Sequence, residues 1–336
     1  MRLTESLNKN ILESGVGGIS NKFKIKKRRD ILFFEDIIAN YVKECEKNGH
    51  RNEMLIVGEK WLCISLYQTI HPLFKKFPML FLNSILKKLW VNLGLVDNLA
   101  VSMENGRAII ITENEAITRI IGRNSIMTGS YKGILEVVLD SEVNVSSVSQ
   151  NKKNCKYVFN ITNKPFIPMA SKRKDLYDRL NRNPNIKGLN LRDALKGGLI
   201  NVDENNKVLF RGKYTIMGET TLLHLMGNLG IMLDRLPVIS YEYFKEIVRD
   251  ESTPERKLIL IKTLLQTMGW GQVNILKSKG VVKLEIKYPP HGIQTEKDNW
   301  RFLIETFLGY LWLIDKRFKI KSDSTSQQKL SVTYSI

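Results

Sequence analysis

One stretch of this chain occurs twice, and that repetition limits what the chain can fold into more than any other feature. Residues 56–66 read IVGEKWLCISL and residues 216–226 read IMGETTLLHLM, so Gly58-Glu59 aligns with Gly218-Glu219, and Leu62 with Leu222, at an offset of 160. The order downstream repeats too. LWVNLG at 89–94 answers LLQTMG at 264–269, ENG at 104–106 answers SKG at 278–280, and Gly133-Ile134-Leu135 answers Gly309-Tyr310-Leu311. The offset drifts from 160 to about 175, which one insertion at 249–256 explains. The pattern predicts two diverged copies of a unit of roughly 110–130 residues, an ordinary domain size.

A chain of 336 residues that is 43% hydrophobic can bury two such cores. Its apolar runs are broken by charge well before 18 residues, so no transmembrane helix is expected. MRLTESLNKN lacks the hydrophobic block of a secretory signal, which predicts a cytoplasmic protein. Cys45, Cys63 and Cys155 are odd in number, widely spaced and without a CxxC pair, a usage that fits thiols in a reducing compartment.

The net charge of +18 is unevenly spread. Residues 1–30 carry 8 basic and 3 acidic side chains, and residues 151–215 carry 15 and 5, which leaves the repeats near neutral. The tightest basic run is Lys22, Lys24, Lys26, Lys27, Arg28 and Arg29, and a second cluster is Lys172, Arg173 and Lys174. Positive charge concentrated in this way attracts polyanions, so nucleic acid or an anionic surface is a candidate partner for both clusters. A lysine-rich composition that only maintains solubility is the bland alternative.

Residues 1–29 read as a flexible basic leader whose 22–29 run could be an edge strand or arm. A helix capped by Asp30 follows, with Phe34, Ile37, Ile38, Tyr41 and Cys45 at helical spacing. In the first unit, 30–161, helices over 61–70 and 80–93 precede a hairpin about Glu104-Asn105-Gly106, a helix over 130–140, and a hairpin about QNKKN. Residues 162–213 form a basic linker with short helices at 176–180 and in LNLRDALKGG. In the second unit, 214–336, helices over 222–236 and 254–268, a hairpin about 277–280, a helix over 299–313 and a closing hairpin keep the same order. The predicted class is α+β: two tandem repeats, each an antiparallel sheet with helices packed on one face.

GRNSIMTGSYKGILEVVLDSEVNV followed by CKYVFNI resembles the end of a 4-vinyl reductase domain, where a glycine-containing helix leads into two strands. LQTMGWGQVNIL is similar to the helix-to-strand corner of the same family. The resemblance covers 30–161 and 205–336. It implies a fold shared with bacterial sensor domains, haem/nitric-oxide-binding domains and subunits of the TRAPP tethering complex, each enclosing an apolar pocket and commonly pairing as dimers. Here the two repeats could pair within one chain, or the chain could pair with a second copy. Sensor members hold zinc with cysteines and an acidic residue in the closing hairpin. This chain aligns Cys155 with the last of these but has Ser147 and Asn144 at the other places, and Ser331 in the second copy. One thiolate cannot build a tetrahedral site, so no metal and no cofactor is expected, and Cys155 reads as a small buried residue.

No GxxxxGK[ST], GxSxG or HExxH occurs, and GWG at 269–271 follows a helix instead of a strand, so it is a bend and not a phosphate cradle. His50, His71, His224 and His291 form no i, i+3 or i, i+4 pair. His224, on an apolar helix face, reads as a core or pocket residue before a ligand to haem. Glu59 and Glu219 read as acidic residues at helix starts. The sequence therefore predicts a binding protein with no visible acid-base pair or nucleophile. It would be a regulatory module with an apolar ligand pocket in one or both repeats, lined in part by Trp61, Trp90, His224 and Trp270. The alternative is a scaffold or tethering subunit that touches nucleic acid, an anionic surface or a protein through its basic segments.

Overall fold

The computed structural model describes residues 12–15, 18–21, 29–67, 70–168, 188–205, 207–251, 253–292 and 298–336. The chain is an α+β protein built on three antiparallel sheets. Strands β4 (Asn98–Glu104) and β5 (Arg107–Glu113) form a hairpin whose turn residues Asn105 and Gly106 have φ of 48° and 74°. That pair of positive angles is what a two-residue turn needs to match strand twist, and asparagine and glycine tolerate it. Along β5 the buried residues alternate as Ala108, Ile110 and Thr112, so one face of the sheet is covered and the other meets solvent. The sheet is completed by β6 (Ser141–Gln150) and β7 (Asn154–Pro165), in the order β4-β5-β7-β6.

The helices of this part of the chain are α1 (Glu35–Lys47), α2 (Arg51–Tyr67) and α6 (Ser125–Leu139), with the short α3 (Pro72–Lys76), the rod α4 (residues 78–92) and the single turn α5 (Thr118–Ile121). Asn124 caps α6 by accepting from the Met127 N–H at 3.1 Å, and Asp140 ends it in the left-handed conformation. Helices α2 and α6 cross at backbone contact: a Cβ on Gly58 would lie 2.0 Å from the Ile126 carbonyl oxygen, and one on Gly129 1.9 Å from that of Leu55.

After α7 (Leu191–Lys196), β8 (Ile200–Val202), β9 (Val208–Phe210) and β10 (Lys213–Gly218), the chain runs through α8 (Thr221–Leu229), α9 (Leu236–Ile247) and α10 (Pro254–Thr267). Strands β11 (Gln272–Ser278) and β12 (Val281–Lys287), helix α11 (Arg301–Leu311) and strands β13 (Lys319–Thr325) and β14 (Lys329–Ser335) follow. This sheet has the order β11-β12-β14-β13, the same order as β4-β5-β7-β6. Gly94 and Gly269 sit just before the first strand of their sheets, and Gly106 and Gly280 in the first turns. Gly133 and Gly309 lie where the covering helix touches a neighbouring backbone, at Glu59 and Pro237 respectively.

The offset of 160 has no such counterpart. Gly58 lies inside α2 against α6, whereas Gly218 ends β10 and Glu219 lies in the connection to α8. Glu59 is in mid-helix, paired with Lys132 at 2.7 Å, and so is not at a helix start. The α2 partner in the second sheet is α9, whose Pro237 carbonyl and Ser240 side chain meet Gly309. The 216–226 match arises because β10 and the start of α8 share an apolar rhythm with part of α2.

The third sheet corrects the expected boundaries. Residues 12–15 and 18–21 form strands β1 and β2, paired with each other, and β2 pairs with β3 (Arg29–Phe34), so this part of the leader is a strand hairpin. Strand β3 pairs in turn with β10, Ile31 opposite Gly218 and Phe34 opposite Thr215, and β10 continues to β9 and β8. Asp30 is therefore a strand residue and not a helix cap. The expected linker likewise holds folded structure in α7, β8 and β9, and 162–165 extend β7. Residues 31–34 are all buried, and the buried apolar residues of both units form one continuous core. The expected single helix over 222–236 is two elements, because Gly230 turns the chain at φ 72° before α9 begins.

Candidate functional site

Two histidines distant in sequence meet at one carboxylate. His224 comes from α8, while His291 and Asp298 come from the connection between β12 and α11. His291 Nδ1 lies 2.7 Å from Asp298 Oδ2, and His291 Nε2 lies 3.0 Å from the Gln327 carbonyl in the β13–β14 turn. The other carboxylate oxygen accepts from the Gly292 N–H at 3.1 Å and stands 3.6 Å from His224 Nε2. His224 Nδ1 is met by the Asn299 N–H at 3.1 Å, and Trp300 packs edge-on against the ring at 4.6 Å.

Burial pushes the His224 pKa down, Asp298 opposes it, and the ring is held toward its neutral form. Burial alone would raise Asp298, but the His291 hydrogen bond, the two imidazoles and the Gly292 amide hold its pKa at about 2. A groove of about 570 Å³ opens beside the cluster, lined by Asn228, Trp300, Arg301 and the 323–327 turn as well as by His291 and Asp298. Both ring nitrogens of each histidine already face protein groups, so the cluster ties three chain segments together. It does not present a base to the groove, because a general base needs a ring nitrogen within reach of substrate.

Three further polar groups are buried, the first inside the first unit and the other two where it meets the β8–β10 segment. The Glu115 carboxylate accepts from the hydroxyls of Thr112, Thr118, Tyr131 and Tyr157 at 2.9, 2.5, 2.7 and 2.6 Å. Burial raises its pKa against those four hydrogen bonds. Arg119 donates from Nε to Glu35 Oε1 at 2.9 Å and pairs through Nη2 with Oε2, while Glu35 also accepts the Ile117 N–H. The guanidinium lies 4.4 Å over the Tyr214 ring of β10, and the buried Lys207 ammonium reaches Asp97 at 2.9 Å. The Arg119 and Lys207 contacts join the first unit to the segment that carries β8 to β10.

On the α2–α6 face, Lys132 pairs with Glu59 and with Glu136 at 2.7 and 3.2 Å. Burial and the Glu59 charge push the Glu136 pKa up to about 7, although Lys132 opposes them. Cys63 and Cys155 are buried thiols, each pushed up to about 12 by burial and a nearby carboxylate, so they are not reactive nucleophiles.

The residues expected to line apolar pockets in the two repeats are placed differently from one another. Trp90 packs at a tilt against Tyr131 in the first unit, where Trp61 is also buried. His224 belongs to the cluster above. Trp270 lines an apolar cavity, together with Phe33, Ile37, Leu223, Phe302 and Phe307, and this cavity encloses about 30 Å³. Of the expected polyanion contacts, Lys22, Lys24, Lys26, Lys27, Arg28, Lys172, Arg173 and Lys174 lie outside the described residues. Arg29 does not fit that role: it is 2% exposed and donates to the Gly269 carbonyl at 3.1 Å. The His291–Asp298 pairing escaped sequence reasoning, which searched histidine spacing and not histidine with aspartate across PPHG.

Among the described residues no group of three His, Cys, Asp or Glu side chains is placed to hold a metal ion, and no single helix is long and apolar enough to cross a membrane. No protein-family model matches the sequence, and a search of curated proteins finds no similar one.

Proposed function

We propose that this protein acts by binding through its outer surfaces, as a scaffold or tethering subunit, and not by enclosing a ligand or transforming one. The observation that carries this reading is how little space the apolar core leaves among the described residues. The apolar cavity beside Trp270 encloses about 30 Å³, room for a water or a methyl group, against the several hundred Å³ that ligand pockets occupy. The engagement of both histidines at Asp298 supports the same reading. The 4-vinyl reductase-like resemblance fits it through the helix, hairpin, helix, hairpin order, and we read the two sheets as copies of one such unit. Native mass spectrometry of the purified protein tests this: the bare chain mass is expected, and a retained small molecule overturns the reading in favour of an internal ligand.

A further inference from the structure

The surface of α3 and α4 combines two properties. Its apolar side chains are left outside: Leu73, Phe77 and Leu80 are 55%, 60% and 56% exposed, and Ile85 and Leu89 are 39% and 36% exposed. The segment itself supplies charge of one sign: from Pro72 to Asn92 it has no acidic residue but has Lys75, Lys76, Lys87 and Lys88, and Asp140 at the end of α6 pairs with Lys75. Scattered exposed leucines need no explanation, whereas a run of them along one element marks a contact surface.

The surface is held in place. Phe81, Leu82, Leu86 and Trp90 anchor α4 in the core. The Asn83 amide bonds both the N–H and the carbonyl of Val101 at 2.8 Å, which clamps the rod along β4. Residues Phe81–Leu86 form a π-helical stretch, a widened turn common at functional sites. Phe74 packs on Phe81 at 5.5 Å and Lys75 pairs with Asp140 at 2.8 Å, so the α3 turn is pinned with Leu73 and Phe77 facing out.

We propose that this face docks on the surface of an anionic lipid bilayer. Leu73, Phe77 and Leu80 enter the boundary between headgroups and acyl chains, and the exposed Lys76 and Lys88 meet lipid phosphates. The proposal deepens the surface-binding reading and rests on it. An apolar face edged by lysines is the pattern of an interfacial helix, where buried apolar area and attraction to anionic lipid add together. A second copy of the chain fits less well, because lysines would face lysines with no carboxylate in the segment to pair them. Nucleic acid would leave three large apolar side chains against phosphates.

Flotation of the full chain with phosphatidylcholine vesicles containing about 30% phosphatidylserine, in about 150 mM salt, tests the assignment. Binding to these vesicles and not to pure phosphatidylcholine is expected. Phe77→Asp with Leu80→Asp should weaken binding at least about tenfold, and Lys76→Glu with Lys88→Glu should do the same. Because all four side chains face solvent, unchanged melting of both variants is expected. Absence of vesicle binding, or binding that the Phe77 and Leu80 substitutions leave intact, overturns the assignment. So does a dimer or a nucleic-acid complex that those substitutions abolish. An empty mass spectrum alongside failed flotation removes only this lipid site, whereas a bound ligand removes the surface-binding reading itself.

Discussion

Replacing Gly58 and Gly218 by alanine, one at a time, should give outcomes of opposite sign. At Gly58 the new methyl would stand 2.0 Å from the Ile126 carbonyl oxygen and 3.0 Å from the Ser130 nitrogen, both helical backbone. Restoring contact requires α2 and α6 to separate by more than about 1 Å, and a gap of that size forfeits up to half the dispersion energy of the atoms lining it. Overpacking a core ordinarily costs about 1–3 kcal/mol, and with no flexible side chain to yield, Gly58→Ala should reach about 3 kcal/mol or more. At Gly218 the nearest atom to a new methyl is a Phe33 ring carbon at 3.7 Å, an ordinary contact. There Gly→Ala should be neutral or stabilising by up to about 1 kcal/mol, because it restricts the unfolded chain. Urea denaturation followed by tryptophan fluorescence reads the difference. With a slope of about 3 kcal/mol per M, Gly58→Ala should lower the midpoint by about 1 M, and Gly218→Ala should leave it in place or raise it slightly. Equal shifts, or a Gly58→Ala midpoint within about 0.3 M of the parent, would refute the helix-contact argument.

Two further perturbations follow from buried charge. Glu136 titrates near 7, above its usual 4.5, so the folded state is penalised as pH rises through that interval. Glu136→Gln should therefore stabilise the protein by on the order of 1–3 kcal/mol at pH 8 and have little effect at pH 4, and thermal melts at the two pH values check it. Arg119→Met strands the Glu35 carboxylate inside the protein and should cost about 3–5 kcal/mol, much of it regained when Glu35→Leu is added. A double variant no more stable than the single one in chemical denaturation would show that the pair is not the source of the loss.

The hairpins were legible because Asn-Gly and the alternation along β5 and β12 are local signals, set by turn sterics and by one buried face. The glycines at 94, 106 and 133 were legible for the same reason, since each serves a turn or a close contact and reappears at 269, 280 and 309. The match between 56–66 and 216–226 misled because a helix buried on several sides and a buried strand leading into a helix both read as apolar runs. Periodicity does not separate them. Strand β3 was hidden by its partner, since nothing near Arg29 signals a strand at 213–218. The histidine cluster depends on Asp298, brought to His224 only by the fold, and no spacing rule would have joined them.

The pairing of β3 with β10 sets a timetable for biosynthesis. The four buried residues 31–34 leave the ribosome ahead of the strand that covers one of their edges, which is about 180 residues further along. At translation speeds of 5–20 residues per second, that apolar edge waits roughly 10–40 s. During that interval β3 is a bare template for any passing strand, and the nascent chain would be a natural client for a chaperone.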